Sequence, residues 1–324
     1  MPAVIASFFL RVFCSAFHCV CFIIVLGIIS SVDGHATLVA SIRPLGFIAA
    51  AIVANGVMPV EVVLPDGASP HHYTLRPTDA LQLKKLDLLI WVGPQLETFL
   101  SGSVSSLPSK RYITLSNLPS IMPFLQKTSE VFHKDDRQDA DGSGEKDQHY
   151  SRSNMHVWLS PAIVRLAGEA IHDRLAELMP EKKKQLDDNL RIFNRLLTKN
   201  DKNITKILEP VLAKEYYVFH DAFGYFEEYY GLTPSGYFTI NPEIQPGAQA
   251  LYKIRTQLLK KKEICIFAEP QFRPSIINAV IRGTAVHIGT LDPLGMGIAL
   301  DKDSYARFLL QLSHQYVSCL EKKS

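Results

Sequence analysis

The hydrophobic and polar positions of the chain form two patterns, short apolar runs typical of buried strands and longer amphipathic stretches typical of helices. The longest amphipathic stretch covers Glu181 to Leu208, between Pro180 and Pro210. Its apolar residues recur at spacings of four, three, four, seven and four, which place them on one helical stripe. They are Leu186, Leu190, Phe193, Leu197, Ile204 and Leu208. At 1.5 Å per residue such a helix is roughly 42 Å long. We therefore predict one long rigid helix over residues 180–210 that links two lobes.

Strand and helix patterns alternate on both sides of this linking helix. Strands are predicted at 37–42, 60–64, 88–92, 112–115, 216–219, 264–268 and 285–289. Helices are predicted at 44–53, 77–85, 161–178, 247–262, 274–282 and 304–319. This alternation favours mostly parallel sheets flanked by helices. The predicted fold is α/β with two lobes, an N-terminal lobe at 37–179 and a C-terminal lobe at 211–324.

Two segments depart from this pattern. Residues 1–36 contain Arg11, an apolar run and then a small-residue stretch, which is typical of a secretory signal peptide. A permanent membrane anchor is the alternative for this segment. Residues 127–154 are mostly charged and polar, and we predict a disordered loop there because it has too few aliphatic residues to bury. Two histidines in this loop, His133 and His149, are a weak signal for metal binding.

Charge and cysteine usage narrow the class of protein. The net charge of +2 offers no argument for a nucleic-acid partner. Cys14, Cys19 and Cys21 belong to the predicted signal peptide, which leaves Cys265 and Cys319. In an oxidising compartment such a pair is a candidate disulfide, and two buried free thiols are the alternative.

Three histidines and one aspartate are the candidates for binding a ligand. His71 lies in a turn rich in proline and glycine, His156 precedes an apolar pair, and His220 ends a predicted strand. In open α/β sheets, ligands bind at the carboxyl ends of the strands. Neutral imidazoles in a partly dry pocket suit zinc. Asp292 follows another predicted strand and is the candidate fourth ligand, with water as the alternative.

The remaining candidates are weaker. The spacing of the three histidines matches no local zinc motif, so each histidine alone is more typical of a structural role. His72 is expected to point away from its neighbour, and His172, His287 and His314 lie in predicted helices or strands, where structural roles are more common. No nucleophile-elbow, H-E-x-x-H or phosphate-loop pattern is present.

The candidate residues lie within long motifs, which are ASIRPLGFIAAAI, LPDGASPHHYTLRPTDA, DLLIWVGPQLETFL, NMHVWLSP, YYVFHDAFGYFEEYYGL, NPEIQPGAQ, FAEPQFRP and GTLDPLG. Together they resemble the ZnuA-type zinc-binding proteins of bacterial ABC importers, a branch of the metal-specific solute-binding proteins. The resemblance covers nearly all of the chain after the predicted signal peptide. It implies two lobes joined by a rigid helix, with His71, His156 and His220 as metal ligands.

The resemblance also bears on the rest of the site. It implies a disulfide between Cys265 and Cys319. Asp292 matches the carboxylate that completes the site in manganese-binding relatives, whereas those relatives have a carboxylate in place of His220. A third imidazole favours zinc over the harder manganese. Some zinc-binding members have a glutamate before the first histidine, and Pro70 occupies that position here.

The function that the resemblance implies is that of a periplasmic, monomeric carrier. It would capture Zn²⁺, deliver it to an inner-membrane ABC permease and catalyse no reaction. A manganese or iron carrier of the same family is one alternative. A zinc hydrolase is another, with Glu269 and Asp292 as the acids available for a general base. Because imidazole binds metal only when neutral, we expect zinc affinity to fall steeply below about pH 6.5.

Overall fold

The structure, a computed structural model, describes residues 37–127, 153–239, 242, 247–260, 264–272 and 275–321. The predicted signal peptide at residues 1–36 lies outside the described residues. The same holds for nearly all of the predicted disordered loop at 127–154, including His133 and His149.

Short apolar runs form two four-stranded parallel sheets, one in each half of the chain. The first has the order β2-β1-β3-β4, with β1 at Leu38–Ala40, β2 at Val60–Val62, β3 at Leu88–Trp91 and β4 at Tyr112–Thr114. The second has the order β6-β5-β7-β8, with β5 at Tyr216–His220, β6 at Gly236–Thr239, β7 at Ile264–Ala268 and β8 at Val286–Thr290. The two halves therefore repeat one strand order, and the prediction of a two-lobe α/β fold with parallel sheets is confirmed.

Helices connect the strands and cover the sheets. In the first half they are α1 (Arg43–Ile52), α2 (Pro77–Lys85), α3 (Ser101–Ser105) and α4 (Pro161–Leu178). The long α5 (Lys183–Leu208) follows, and then come α6 (Gly224–Tyr230), α7 (Ala248–Leu258), α8 (Ser275–Ile281) and α9 (Ser304–Leu320). Local chemistry sets several of their ends. The Ser160 hydroxyl accepts a hydrogen bond from the Ile163 N–H at the start of α4, and Gly231 ends α6 with a φ of 79°.

The long helix forms as predicted, with a 3₁₀ turn at each end, Pro180–Lys182 and Glu209–Val211. Its buried face contains two asparagines among the apolar residues. The Asn189 amide donates to the carbonyl of Ile52 at 3.0 Å, and the Asn200 amide donates to the carbonyl of Ala306 at 3.1 Å. Both amides therefore have hydrogen-bond partners inside the core, as buried polar groups require. They attach α5 to α1 in the first half and to α9 in the second half.

One hydrophobic core extends through both halves. It includes Leu38 on β1, Phe47 on α1, Phe193 on α5, Phe267 on β7 and Phe308 on α9. The rings of Phe47 and Phe308 lie 5.8 Å apart between their centroids, so the last helix packs against the first. The lobe boundaries at residues 179 and 211 stay predictions. Within the described ranges, no helix is both long enough and apolar enough to cross a membrane.

Candidate metal centre

Three connections bring the candidate histidines together. His71 lies in the loop that follows β2, His156 lies immediately before the 3₁₀ turn Val157–Leu159, and His220 is the last residue of β5. The loop and the strand end both belong to the carboxyl edges of parallel sheets, where ligands bind in α/β folds. His156 and His220 are buried, and His71 is half-buried. The site is therefore built from both halves of the chain.

The three side chains turn the same ring nitrogen toward one another. The Nε2 atom of His156 lies 3.2 Å from the Nε2 atom of His71 and 3.2 Å from the Nε2 atom of His220. Each of the three histidines offers a ring nitrogen within 4.8 Å of the other two. Among the described residues this is the only group of His, Cys, Asp or Glu side chains with such spacing.

The hydrogen bond of His156 shows which of its nitrogens carries the proton. The Asn154 Oδ1 atom accepts the backbone N–H of His156 at 3.0 Å, so this atom is the amide oxygen. The same oxygen lies 2.7 Å from Nδ1 of His156, which must therefore be protonated to donate to it. The Asn154 amide nitrogen donates to the carbonyl of Asp221 at 3.0 Å, next to His220. Nε2 of His156 is left with a lone pair that faces the other two histidines.

A buried carboxylate fixes His220 in the same way. Glu269 follows β7 directly, and its Oε1 atom lies 2.5 Å from Nδ1 of His220. Both side chains are almost completely buried, so this is a strong charge-assisted contact. Burial raises the pKa of the Glu269 carboxyl, and the neighbouring His220 acts in the opposite direction. A proton on Nδ1 leaves the Nε2 lone pair of His220 directed into the cluster.

The surroundings of the cluster keep the imidazoles of His71 and His156 neutral. Burial, and then the charge of His220, lowers the pKa of His71 to about 3. Burial is also the main reason that the pKa of His156 lies well below its usual value. The Trp158 ring lies 5.1 Å from the His156 ring, and its indole N–H donates to the carbonyl of Pro293 at 2.7 Å. An apolar wall thus limits access of water to the nitrogens.

Converging lone pairs at this separation indicate a cation site. With Nδ1 protonated on His156 and His220, neither Nε2 atom is able to donate to the other, so the 3.2 Å contact is repulsive without a positive charge between them. Tetrahedral zinc with Zn–N distances of 2.0–2.1 Å places its ligand nitrogens about 3.3–3.4 Å apart. The observed Nε2–Nε2 separations therefore match what one zinc ion requires.

Asp292 lies near this cluster but is not part of it. Its Oδ1 atom accepts from the backbone N–H of Leu294 at 3.0 Å and from the Gln271 amide at 3.1 Å. Its Oδ2 atom accepts from the backbone N–H of Met296 at 2.6 Å. Both oxygens already have donors within the protein. A direct role for Asp292 as fourth ligand stays a prediction.

The other histidines within the described residues lie apart from the three-histidine cluster. His172 is buried between the carboxylates of Asp173 and Asp187, at 2.8 Å and 2.7 Å. His72 and His314 are exposed, and His287 is half-buried on β8.

A disulfide joins Cys265 on β7 to Cys319 on α9, with the Cα atoms 6.1 Å apart. The predicted pairing of these two cysteines is therefore present in the structure, and it connects the second sheet to the last helix.

Sequence analysis missed two residues that orient the histidines. Asn154 was placed at the end of the predicted disordered loop and at the start of a motif, but it is buried and hydrogen-bonded, so it belongs to the folded part of the chain. Glu269 was considered only as a catalytic acid. The signals were present, because Asn154 lies two residues before His156 and Glu269 directly follows a strand next to the strand of His220.

Comparison with known proteins gives a consistent result. A sequence profile of the ZnuA family, described as zinc-uptake complex component A periplasmic, matches residues 38–319. The chain is 57% identical over 292 residues to the high-affinity zinc uptake system protein ZnuA of Yersinia pestis, covering 88% of this chain and 92% of that protein. It is 40% identical over 291 residues to the protein of the same name from Haemophilus ducreyi, covering 88% and 94%.

A solved structure shares the fold. The periplasmic zinc binding protein TroA from Treponema pallidum superposes with a TM-score of 0.71, covering 89% of this chain and 100% of that chain. The two are 22% identical in sequence, so this likeness concerns the fold alone.

Proposed function

This chain belongs to the ZnuA family of zinc-uptake components, and from that premise we propose that it is a periplasmic protein that binds Zn²⁺ and delivers it to an ABC-type zinc permease. The observation that carries the proposal is the cluster of three histidines, in which the Nε2 atom of His156 lies 3.2 Å from the Nε2 atoms of His71 and His220. In the proposed complex, His71, His156 and His220 bind the ion, and Asn154 and Glu269 hold two of the rings. The signal-peptide pattern of residues 1–36 supports export to the periplasm.

The donor set argues for zinc as the cargo. Three neutral imidazoles are borderline-soft ligands that suit zinc, whereas manganese prefers carboxylate and carbonyl oxygens. We propose a monomer that transports the ion without catalysis. Glu269, one of the two acids available to a hydrolase as a base, is held by Nδ1 of His220, and both oxygens of the other, Asp292, already accept hydrogen bonds.

The first test compares two variants, one of a histidine that faces the cluster and one of a buried histidine that does not. Zinc affinity of the purified protein is measured by competition with a chromophoric chelator. We expect His220→Ala to weaken zinc binding by more than about 100-fold, because removing a direct ligand exceeds the effect of losing an outer partner. His172→Ala is the control, since His172 is also buried but its ring nitrogens contact the carboxylates of Asp173 and Asp187 instead of the cluster. Equal affinities for the two variants would contradict the proposed site.

Competition between metals separates the possible cargoes. The metal-free protein is mixed with equal amounts of zinc, manganese and iron(II), and the bound metal is then analysed. Zinc is the expected result. Bound manganese or iron would instead favour the alternative carrier. Hydrolysis of a generic ester by the zinc form, abolished by His71→Ala, would favour the hydrolase.

A further inference from the structure

One buried acceptor in the histidine pocket has no partner within the described residues. It is the Oε1 atom of Gln271, and Gln271 lines the pocket together with His71, His156 and His220. The identity of this atom as the amide oxygen follows from its neighbour, because the Gln271 nitrogen donates to the Asp292 carboxylate at 3.1 Å. A buried oxygen without a hydrogen-bond donor lowers the stability of the fold, so we expect a bound group in the pocket to donate to it.

The rest of the pocket offers little for a polar group to bond. Its other lining residues are the apolar Pro70, Trp158, Phe272, Pro293 and Leu294, and the carboxylate of Glu269, whose Oε1 atom contacts Nδ1 of His220. The carboxylate of Asp292 already accepts three hydrogen bonds. Among the described side chains that line this pocket, the Gln271 oxygen is therefore the buried acceptor that lacks a donor and is free to accept from a fourth metal ligand.

We infer that Gln271 accepts a hydrogen bond from a water molecule that completes the coordination of the bound zinc. This inference rests on the proposed function. Three imidazoles occupy three of the four tetrahedral positions around zinc. The amide oxygen of Gln271 is not among the usual zinc ligands, so water fills the fourth position. Water bound to zinc is a strong hydrogen-bond donor, and in an apolar pocket it requires an acceptor. Asp292 does not contact the water itself; it accepts a hydrogen bond from the Gln271 amide and so fixes the orientation of that amide.

The test uses azide, a ligand that competes with water for the metal but donates no hydrogen bond. The protein is loaded with cobalt(II) as a coloured substitute for zinc, and azide is titrated while the visible spectrum is followed. In the wild-type protein azide must displace water that is held by Gln271. In Gln271→Met the acceptor is gone while the side-chain length is kept. We expect azide to bind about three- to tenfold more tightly to this variant, which corresponds to one lost hydrogen bond.

The matched control is Gln315→Met. The Gln315 amide oxygen accepts the backbone N–H of Asp292 at 2.9 Å, so this glutamine contacts the same aspartate but does not line the pocket. Its azide affinity should equal that of the wild type. Thermal unfolding followed by circular dichroism checks that each variant folds. If Gln271→Met is unfolded, Gln271→Asn provides the second variant, because it withdraws the oxygen from the pocket and should also bind azide more tightly.

A change in zinc affinity alone does not show whether Gln271 positions the bound water or whether its replacement damages the whole site. The preference of the metal for azide over water does show this. Equal azide affinity for the wild type and the Gln271 variants would overturn the inference. A wild-type spectrum that azide does not change would also overturn it, because the fourth ligand would then be a protein group. Failure of the wild type to bind zinc or cobalt would overturn the proposed function instead.

Discussion

At the scale of single residues, burial keeps the imidazoles of His71 and His156 neutral at pH 7. The pKa of His71 falls to about 3 and that of His156 lies well below its ordinary value, in both cases mainly because a charged imidazole loses its hydration in the pocket. A metal ion arriving at pH 7 therefore meets neutral nitrogens and displaces no proton from these two rings. Competition from protons starts at a lower pH than the value of 6.5 expected for an exposed histidine.

These lowered pKa values revise the steep fall below pH 6.5 expected from the sequence, and they predict a shallower pH dependence of zinc binding between pH 7.5 and pH 5. Three imidazoles with ordinary pKa values would lose roughly 3 × 10⁴-fold in affinity at pH 5, whereas one such imidazole would lose about 30-fold. We expect a loss far smaller than about 3 × 10⁴-fold, measured by chelator competition at each pH. A loss of more than about a thousandfold would contradict the lowered pKa values.

The same shifts have a consequence for the stability of the metal-free protein. The unfolded chain binds protons on these histidines below about pH 6.5, and the folded protein resists doing so until a much lower pH. The free energy of unfolding should therefore decrease as the pH falls from 6.5 toward 3. Zinc affinity must accordingly be measured under conditions in which circular dichroism shows the protein to be folded.

The residues of the site differ in how far sequence predicts them. His71, His156 and His220 were predictable because each falls in or beside a connection of an α/β pattern and within a family motif. The roles of Asn154, Glu269 and Gln271 were not, because they depend on which neighbouring segments pack together. Glu269 contacts a histidine 49 residues away, a pairing that arises only when β5 and β7 become neighbours.

At the scale of secondary structure, the strong periodic segments were predicted closely and the short ones were missed. The predicted bounds of α2 and β7 agree with the structure. The strand β6 was missed because its four residues begin with glycine and follow a proline-containing turn. The helix α6 was missed because aromatic residues are only moderate helix formers. Tertiary packing stabilises it, with the Phe226 ring stacked on Tyr316 at 5.6 Å.

The disulfide is the covalent link between two of these elements, and its removal should cost stability. Cys265 and Cys319 close a loop with a sequence separation of 54 residues. Loss of such a link lowers the free energy of unfolding by about 4 kcal/mol in the loop-entropy description. We expect the double variant Cys265→Ala, Cys319→Ala to show this loss in urea unfolding.

Reduction of the wild-type protein is the matched control for the disulfide prediction, since it breaks the bond without removing the sulfur atoms from the core. It should produce most of the same loss. A change smaller than about 1 kcal/mol in both experiments would mean that the packing of α9 alone holds these elements together.

At the scale of the whole molecule, the two halves share more than a linking helix. The sequence predicted a rod between two lobes, but the common core shows that α9 also crosses back to pack on α1. Sequence periodicity does not reveal this, because it identifies the apolar face of a helix and not the surface that the face meets. A wide separation of the halves would expose this core, so we expect zinc to leave through local movements of the loops around the histidines.

One side chain connects these loops across the two halves. Arg43, the first residue of α1, forms an ion pair with Asp66 at 3.0 Å, in the loop that leads to His71. The same guanidinium donates to the carbonyls of Gly295 and Ile298, in the loop after β8. A planar group with five donors is suited to holding several acceptors at once, and lysine is not an equivalent replacement.

This arrangement predicts that Arg43 slows the release of zinc. The loop of His71 has to move for the ion to leave, and the contacts of Arg43 oppose that movement. We expect Arg43→Ala to increase the rate of zinc dissociation by about tenfold, since hydrogen bonds from a charged group contribute about 1.5–3 kcal/mol. Arg43→Lys should fall between this variant and the wild type. The rate is measured by stopped-flow mixing with an excess of chelator.

Arg307→Ala separates a specific effect from the loss of any surface arginine. Arg307 pairs with Asp301 at 2.8 Å and donates to the carbonyl of Ala299, but these contacts stay within the second half of the chain. Its zinc dissociation rate should match that of the wild type. If Arg43→Ala releases zinc no faster than Arg307→Ala, the contact between the two loops does not limit release. The local movement that frees the ion would then have to lie at His156 or His220, whose rings are held by Asn154 and Glu269.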